Sequence, residues 1–409
     1  MTAALVGLSL CMLAASLGTS SANVALPTLA QAFGAPFHTV QWVLVGYLLA
    51  ITAAVVVFGR LGDVVGRRRS LRVALALYCA ASIVCGLAPA LSVVIVARVL
   101  QGLGAAGMMA LTLAFVGDIV PKERAGSAMG LLGTVSSIGT ALGPSLGGAL
   151  VTTLGWRAIF FAHLALGGAA LALVRRLPPD RSGRRAAFDR AGSLLLELLG
   201  DRALTASLAA SSIVSCVVMT SMVVGPFYLS IALGLDTGLV GLTMSVGSIV
   251  AALTGLPAGR VVDRFGARRT TLVGLAGIAA AAVVLALRPE RLGVPGYVAP
   301  MAALTASYAL FQAANNTGVM QHAGPDARGV VSGTLGLSRN LGLVTGACVM
   351  GAVFALGAGA SDITTASGDA VARGLRTAYA LAAALIALAF ALVATTTTTT
   401  TTKARKARS

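Results

Sequence analysis

An arginine inside an apolar segment is the residue of this sequence with the most evident chemistry. Arg98 stands within the apolar run 90–117, and Gln101 follows it one helical turn later. A charged side chain at mid-bilayer costs at least about 2.5–3.5 kcal/mol, so Arg98 must face a cavity or bond to interior carbonyl groups. Gln101 would share its helix face. Arg339 and Asn340 lie inside a later apolar run, where a packing or gating role is the alternative.

Polar and aromatic side chains recur at helical spacing in other apolar segments. Residues three, four and seven apart share one face of a helix. An aromatic face with amide groups suits a cavity for flat, weakly polar ligands, although the same side chains also join helices to one another. The candidate cavity residues are Ser16, Thr19, Asn23, Met219, Met222, Tyr308, Phe311, Gln312 and Asn315.

Protonatable side chains are scarce in the apolar segments. No acidic residue lies near the middle of one, and Asp118, at the end of the run that contains Arg98, comes closest. His163 is the one histidine within a predicted span, and a lone buried histidine is more often a hydrogen-bonded polar group than a proton carrier. Without a buried carboxylate, we expect neutral or amphipathic ligands to be preferred over dications.

The apolar segments themselves predict a polytopic, all-α membrane protein. The chain has 409 residues, of which 57% are hydrophobic and 11% charged, whereas soluble domains carry about 25% charged residues. Because a span needs about 20 apolar residues, we predict about twelve spans, the first near 4–26 and the last near 376–394. The net charge of +17 does not indicate a nucleic-acid partner, since the basic residues fall in short clusters between apolar segments.

The basic residues predict the orientation. With the N-terminus inside, 23 of the 30 Lys and Arg residues lie on the inner side, five lie outside, and Arg98 and Arg339 fall within spans. Since inner loops carry the excess of positive charge, we expect both termini to be cytoplasmic. The expected location is a bacterial cytoplasmic membrane.

An internal repeat divides the chain into halves. The pattern Gly-Arg-x-x-Asp-x-x-Gly-x-Arg-Arg begins at Gly59 and again at Gly259, between corresponding pairs of spans. This recurrence indicates two duplicated six-helix units. Glycines permit a tight turn or close approach, and the aspartate can pair with the arginines, which otherwise act only as positive anchors. The predicted cytoplasmic gate comprises Gly59, Asp63, Gly66, Arg67, Arg68, Gly259, Asp263, Gly266 and Arg268.

The domain prediction follows from the repeat and from the polar interruptions. We predict an N-terminal six-helix bundle over 1–175, a cytoplasmic linker over 176–202 and a C-terminal six-helix bundle over 203–394. The remaining segment, 395–409, is threonine-rich with a basic end, and its low complexity predicts a disordered tail near the lipid headgroups.

The predicted fifth span is rich in glycine. Gly139, Gly143 and Gly147 are spaced four apart and share one face, which lets a neighbouring helix approach closely. Pro144 would kink the span, and Gly148 extends the motif. A hinge role and plain helix packing would both require small residues at these positions, so the sequence does not distinguish the two roles.

Together these segments resemble the major facilitator superfamily, in particular the drug:proton antiporters of its usually fourteen-span subgroup. The resemblance covers about Gly18 to Leu356. It is carried by NVALP at 23–27, GRLGDVVGRRR at 59–69, RVLQGLGAA at 98–106, GTALGPSLGG at 139–148 and WRAIFF at 156–161. It implies two pseudo-symmetric six-helix bundles, a cavity lined by spans one, four, seven and ten, and a coupling role for Arg98.

The function implied by the resemblance is export of small amphipathic molecules, such as drugs, antibiotics or secondary metabolites. Alternating access would be coupled to proton influx, by a monomer in the lipid bilayer. Metabolite uptake on the same fold and a transport-inactive sensor or degraded transporter are the alternatives. The sequence contains no GxxxxGK[ST] loop, catalytic triad or Cys/His cluster. We therefore predict an ion gradient as the energy source, and no enzyme activity, metal or cofactor.

Two departures from the subgroup stand out. Gly18 occupies the position of an acid that the subgroup usually carries in span one. The segment FDRAGSLLLELLGDRALTAS passes directly into span seven, where the subgroup usually has two further helices. The first departure leaves the proton-carrying residue unidentified, and the second makes the span count nearer twelve than fourteen.

Overall fold

The computed structural model describes residues 2–119, 122–175, 201–287, 289–322, 328–360 and 362–406. Helices dominate this part of the chain, and no strand occurs in it. The predicted linker lies outside it apart from residues 201 and 202. The side chains of Asp63 and Asp118 also lie outside the described part, so the predicted role of Asp63 stays a prediction.

The apolar runs of the first half form long helices, because a helix satisfies its own backbone groups where lipid offers no hydrogen bonds. In chain order they are α1 (Thr2–Val24), α2 (Leu26–Phe33), α3 (Phe37–Val40), α4 (Trp42–Val65), α5 (Arg67–Leu87), α6 (Leu91–Ile119), α7 (Lys122–Leu154) and α8 (Arg157–Val174).

The second half forms a similar succession. Its helices are α9 (Arg202–Phe227), α10 (Thr237–Phe265), α11 (Ala267–Ala286), α12 (Gly293–His322), α13 (Arg328–Thr345), α14 (Gly351–Ala358) and α15 (Gly368–Lys406). Short π-helical turns, Tyr228–Ala232 and Gly346–Met350, extend α9 and join α13 to α14. Short 3₁₀ turns at Pro289–Leu292 and Ile363–Thr365 precede α12 and α15.

The membrane architecture agrees with the prediction. In the described part of the chain, 11 helical segments are long and apolar enough to cross a membrane. The predicted fifth span falls in α7, whose apolar portion Ile138–Leu154 is shorter and contains Pro144. Counting α7, the described helices correspond to the twelve predicted spans, and the all-α membrane fold is confirmed.

The chain divides into two compact units. Unit 1 contains Met1–Ala186, Leu229–Ser248 and Asp362–Thr365, and unit 2 contains Ala187–Tyr228, Ile249–Ser361 and Ala366–Ser409. Each unit is therefore built mainly from one half of the sequence, although short segments of the second half belong to unit 1. The predicted limits of the two bundles and the linker stay predictions.

Unit 1 has a continuous apolar core in which α1, α4, α5, α6 and α8 meet. Two glycines of α6 make this packing close. A Cβ at Gly104 would stand 2.7 Å from the carbonyl oxygen of Ala74, and one at Gly102 would stand 2.5 Å from the carbonyl oxygen of Tyr47. These approaches bring α4 and α5 against the helix that carries Arg98.

The carboxylate of Asp362 links the segment Asp362–Thr365 to the start of α3, within unit 1. Asp362 Oδ1 accepts hydrogen bonds from the backbone amides of Thr364 at 3.0 Å and Phe37 at 3.4 Å. Partial burial alone would raise the pKa of Asp362, but these hydrogen bonds and nearby His38 hold it below its ordinary value. The first turn of α3 is thus tied to the segment Asp362–Thr365.

Unit 2 is packed by small residues and a compact apolar cluster. Leu204 and Leu208 of α9 meet Val319 and Val331. Further along α9, a Cβ at Gly346 would stand 2.5 Å from the carbonyl oxygen of Cys216, so the π-helical turn lies directly on α9.

The C-terminal segment is predicted to be a disordered tail over 395–409, and its disorder stays a prediction. Helix α15 continues through the threonine run to Lys406. Thr395 and Thr396 donate hydrogen bonds to the carbonyl groups of Ala391 and Leu392, at 2.8 and 3.1 Å. Each hydroxyl group donates to the carbonyl four residues earlier, so its hydrogen-bonding need is met without interrupting the helix.

The close contact at Gly104 predicts a selective loss of stability. Gly104→Ala would press a methyl group against the backbone of α5 and lower the free energy of unfolding by about 1–3 kcal/mol. Gly168→Ala is the matched control, since no atom of the described part of the chain lies within 4 Å of a Cβ at that helical position. Thermal unfolding in detergent measures both variants. Equal stability of the two would contradict the packing described for α5 and α6.

Candidate buried polar site

Arg98 is the centre of a buried polar cluster in unit 1. Its side chain is 0% exposed. Nε donates to the carbonyl of Val43 at 3.0 Å, Nη2 donates to the carbonyl of Gly18 at 2.9 Å, and Nη1 donates to Gln101 Oε1 at 2.7 Å. All three acceptors are uncharged. The guanidinium group therefore keeps its charge in the interior by bonding to α1, α4 and its own helix.

Tyr47 completes the surroundings of the arginine. The guanidinium carbon lies 3.9 Å from the centroid of the Tyr47 ring, a distance at which a cation is attracted by the aromatic face. The Tyr47 hydroxyl donates to the carbonyl of Ala15 at 2.9 Å, and that of Tyr78 donates to the carbonyl of Ala14 at 2.8 Å. Both tyrosines thus fix α1 beside Arg98.

A second part of the cluster extends from Gln101 to α8. Gln101 Nε2 lies 2.7 Å from Ser82 Oγ and 3.4 Å from His163 Nδ1. His163 Nε2 lies 3.0 Å from Ser21 Oγ, whose hydroxyl donates to the carbonyl of Leu17 at 2.7 Å. His163 is 2% exposed, and it therefore belongs to the same buried network as Arg98.

Gly18 and Tyr47 fit one another closely. A Cβ at position 18 would stand 2.5 Å from the hydroxyl oxygen of Tyr47 and 3.1 Å from that of Tyr78. The acid that related antiporters usually carry at this position has no room in this arrangement. The absence of a side chain also leaves the Gly18 carbonyl directly accessible to Arg98.

The predicted cavity residues of unit 1 are largely occupied by contacts within the bundle. Ser16 Oγ lies 2.6 Å from Ser136 Oγ, and the half-buried Thr19 donates to the carbonyl of Ala15 at 3.2 Å. Asn23 is buried. Their role in binding a ligand stays a prediction.

The candidates of unit 2 are divided between buried and partly exposed positions. Phe311 is buried where α12 meets Gly274 of α11, and Asn315 Nδ2 donates to the carbonyl of Ser207 at 3.4 Å. Met219 is also buried. The half-buried candidates of this unit are Met222, Tyr308, Gln312, Arg339 and Asn340. Arg339 and Asn340 lie on α13 of unit 2, and their predicted role stays a prediction.

The repeated motif forms the turn between two helices in each half. Gly66 and Gly266 have φ values of 107° and 82°, which glycine adopts at low cost. Arg67 Nη1 donates to the carbonyl of Ala114 at 3.1 Å, and Arg68 Nη2 donates to that of Arg175. Asp263 and Arg268 are exposed.

Gly59 and Gly259 do not fit the expectation of close helix approach. Among the described residues, no atom lies within 4 Å of a Cβ built at either position. Of the four predicted gate glycines, Gly66 and Gly266 are the ones whose described backbone favours glycine, because their φ values are positive. Any gating function of the motif stays a prediction.

The glycine-rich face of α7 lies against α1. A Cβ at Gly139 would stand 2.9 Å from Ser16 Cβ, and one at Gly147 would stand 2.6 Å from the carbonyl oxygen of Ser21; one at Gly143 would overlap Ser20 Oγ. Gly148 faces Gly241 of α10, and a Cβ at Gly241 would stand 2.7 Å from the carbonyl oxygen of Pro144. The small residues therefore serve close packing on two sides of α7.

Sequence reasoning did not identify the whole cluster. It singled out Arg98 and Gln101 from their spacing within one span, but Ser82, Tyr47 and the link through His163 come from other helices. A polar residue on an otherwise apolar span was the available signal for Ser82 and His163.

This geometry defines an α-helical membrane protein with a buried cationic site, and comparison with known proteins gives the family. The family model of the Major Facilitator Superfamily matches residues 8–347. The chain therefore belongs to the major facilitator superfamily, a family of transporters rather than enzymes.

Relatives in several organisms share parts of the sequence. The uncharacterized transporter YebQ of Escherichia coli is 28% identical over 80% of this chain and 84% of its own length. The multidrug resistance protein Stp of Mycobacterium tuberculosis is 40% identical over 42% of this chain and 33% of its own length. The riboflavin transporter RibZ of Clostridioides difficile is 35% identical over 44% of this chain and 40% of its own length.

Solved structures support the fold independently. A bacterial homologue of the human lysosomal transporter Spinster, in an inward-facing and unoccupied conformation, superposes with a TM-score of 0.79. The match covers 96% of each chain at 16% identity. At this level of identity the similarity establishes the shared fold alone.

The contact between positions 18 and 47 predicts a non-additive pair of substitutions. Gly18→Ala lowers the free energy of unfolding by about 1–3 kcal/mol, and less of this loss appears in a Tyr47→Phe background, where the obstructing hydroxyl is gone. Tyr78→Phe is the matched background, since its hydroxyl is farther from the added Cβ and relieves less. A double-mutant cycle by thermal unfolding measures the coupling. Strictly additive losses at 18 and 47 would contradict this account.

Proposed function

We propose that this protein exports small amphipathic molecules from a bacterial cytoplasm in exchange for protons. The observation that carries the proposal is the buried Arg98 cluster within a member of a transporter family. A desolvated cation held by carbonyl groups and one amide is costly to maintain. Arg98 bonds to both α1 and α4, so a movement of either helix would change its hydrogen bonds. Arg98 would therefore couple proton uptake to helix movement, in addition to joining the helices.

Export rather than uptake is favoured by three observations. The N-terminal part resembles drug:proton antiporters in several motifs, and a relative that is 40% identical over 42% of this chain is named a multidrug resistance protein. The glycine-rich face of α7, a feature of those motifs, packs tightly on α1. Uptake of a metabolite is the second candidate, because a riboflavin transporter is 35% identical over a similar share of the chain.

The substrate class follows from the charges of the spans. The sequence contains 13 acidic residues, and none lies near the middle of a predicted span. A dication would find no carboxylate partner at that depth, whereas neutral and amphipathic molecules require none. The protein would act as a monomer by alternating access, with the predicted residues of spans one, seven and ten lining the cavity.

Everted membrane vesicles test direction and coupling together. We expect vesicles that contain the protein to accumulate drugs from a panel that includes neutral chloramphenicol and dicationic propidium, with the neutral drug preferred. A protonophore should abolish accumulation. Arg98→Met should abolish it as well, because the substitution removes all three hydrogen bonds of the guanidinium group. Arg373→Met, at an exposed arginine near the start of α15, is the matched control and should retain transport.

The possible outcomes separate the candidates. Accumulation in right-side-out vesicles instead would favour uptake. Preference for propidium would contradict the proposed substrate class. Normal accumulation by Arg98→Met at equal expression would contradict the role of the buried cluster.

Orientation and duplication are tested by cysteine labelling. Arg69 and Arg269 are exposed and occupy equivalent places in the repeated motif. In intact cells, Arg69→Cys and Arg269→Cys should both be protected from a membrane-impermeant maleimide, and both should react in everted vesicles. Arg373→Cys, predicted outside, should show the reverse pattern. Reaction of the two motif positions from opposite faces would contradict the duplicated architecture.

A further inference from the structure

We propose that His163 is the residue that carries the translocated proton, and that its protonation releases Arg98 from Gln101. This inference rests on the proposed proton-coupled export and assigns the step that the sequence left open. The acid usual in span one is replaced by Gly18, and an arginine does not lose its proton in proteins. A separate titratable group must therefore act on Arg98.

The hydrogen-bond directions around His163 are determined by Arg98. A guanidinium group has donors only, so the Gln101 atom at 2.7 Å from Arg98 Nη1 must be the amide oxygen. The amide nitrogen of Gln101 then points towards Ser82 and His163. Because this nitrogen also has donors only, His163 Nδ1 must accept and carries no proton in this conformation.

The hydrogen bond at the other imidazole nitrogen, Nε2, is consistent with an unprotonated Nδ1. The Ser21 hydroxyl donates to the carbonyl of Leu17, which leaves its oxygen to accept from His163 Nε2. The Ser82 hydroxyl likewise donates to the carbonyl of Tyr78 at 2.7 Å and accepts from Gln101. In this chain of bonds the unprotonated imidazole nitrogen, His163 Nδ1, is the basic atom, and it accepts a long hydrogen bond of 3.4 Å from Gln101.

Protonation of Nδ1 is incompatible with this arrangement. A proton there would face the amide N–H of Gln101, and rotating the amide to correct this would turn its N–H groups towards the Arg98 guanidinium. The proton and the Arg98–Gln101 bond are thus mutually exclusive. Repulsion between the protonated imidazole and the Arg98 guanidinium would also disfavour the present arrangement. A proton taken up at Nδ1 from the outside would therefore free Arg98 and bias α1, α4 and α6 towards another arrangement.

The surrounding ionisable groups leave Arg98 as the main electrostatic influence on His163. Tyrosines and thiols are uncharged near neutral pH. Those on the neighbouring helices are Cys11 of α1, Tyr47 of α4, and Tyr78, Cys79 and Cys85 of α5, and α8 also carries Arg157 near its start. The ionisable residues of α7 are Lys122, Glu123 and Arg124 in its first turn. No acid occurs on α1, α5 or α8.

The test separates proton coupling from structural support. In everted vesicles with chloramphenicol as the probe, His163→Gln should lose gradient-driven accumulation, down to the level of protonophore-treated vesicles. It should keep exchange of labelled for unlabelled chloramphenicol without a gradient. Wild-type exchange should depend on pH, and exchange by His163→Gln should not. His38→Gln, at the exposed histidine of α3, is the matched control and should behave as wild type.

Three other outcomes would overturn the proposed role of His163. Accumulation and pH dependence like those of wild type in His163→Gln would overturn the inference while leaving proton-coupled export intact. Loss of both accumulation and exchange in His163→Gln and in His163→Asn would also overturn it, because the imidazole would then be structural. Failure of wild-type vesicles to accumulate any drug of the panel would overturn the export proposal and this inference with it.

Discussion

The burial of one positive charge is the constraint on which the rest of unit 1 depends. Arg98 has no exposed surface, and water can contribute nothing to its stabilisation. The carbonyl groups of Gly18 and Val43, the amide of Gln101 and the ring of Tyr47 replace the lost hydration. Since these groups come from α1, α4 and α6, the charge can be tolerated only when the three helices are correctly packed.

Small residues make that packing possible. Gly102 and Gly104 bring α4 and α5 against α6, and the glycines of α7 bring α1 into the same assembly. Gly18 has a more specific part, because its lack of a side chain admits the Tyr47 hydroxyl and leaves its own carbonyl to Arg98. Loss of the usual acid and gain of a tight tyrosine contact are therefore two aspects of one local arrangement.

The polar network connects this electrostatic requirement with function. Arg98 orients the amide of Gln101, and the amide in turn leaves one imidazole nitrogen of His163 as an acceptor. In the proposed mechanism, this site would convert a change in protonation into a change in helix contacts without a buried carboxylate. This is consistent with the proposed preference for substrates that need no anionic partner.

The membrane spans, the repeated motif and the need of Arg98 for interior hydrogen-bond partners could be predicted from the sequence, because they depend on local composition and spacing. A run of about 20 apolar residues must form a helix in lipid wherever it lies in the chain. Membership of the Arg98 cluster could not be predicted in the same way. His163 lies 62 residues from Gln101, and Ser21 lies 142 residues from His163. Only the packing of α1, α5, α6 and α8 determines that these side chains meet. In unit 2, the packing of α12 against α11 and α9 likewise determines that Phe311 and Asn315 are buried in helix contacts.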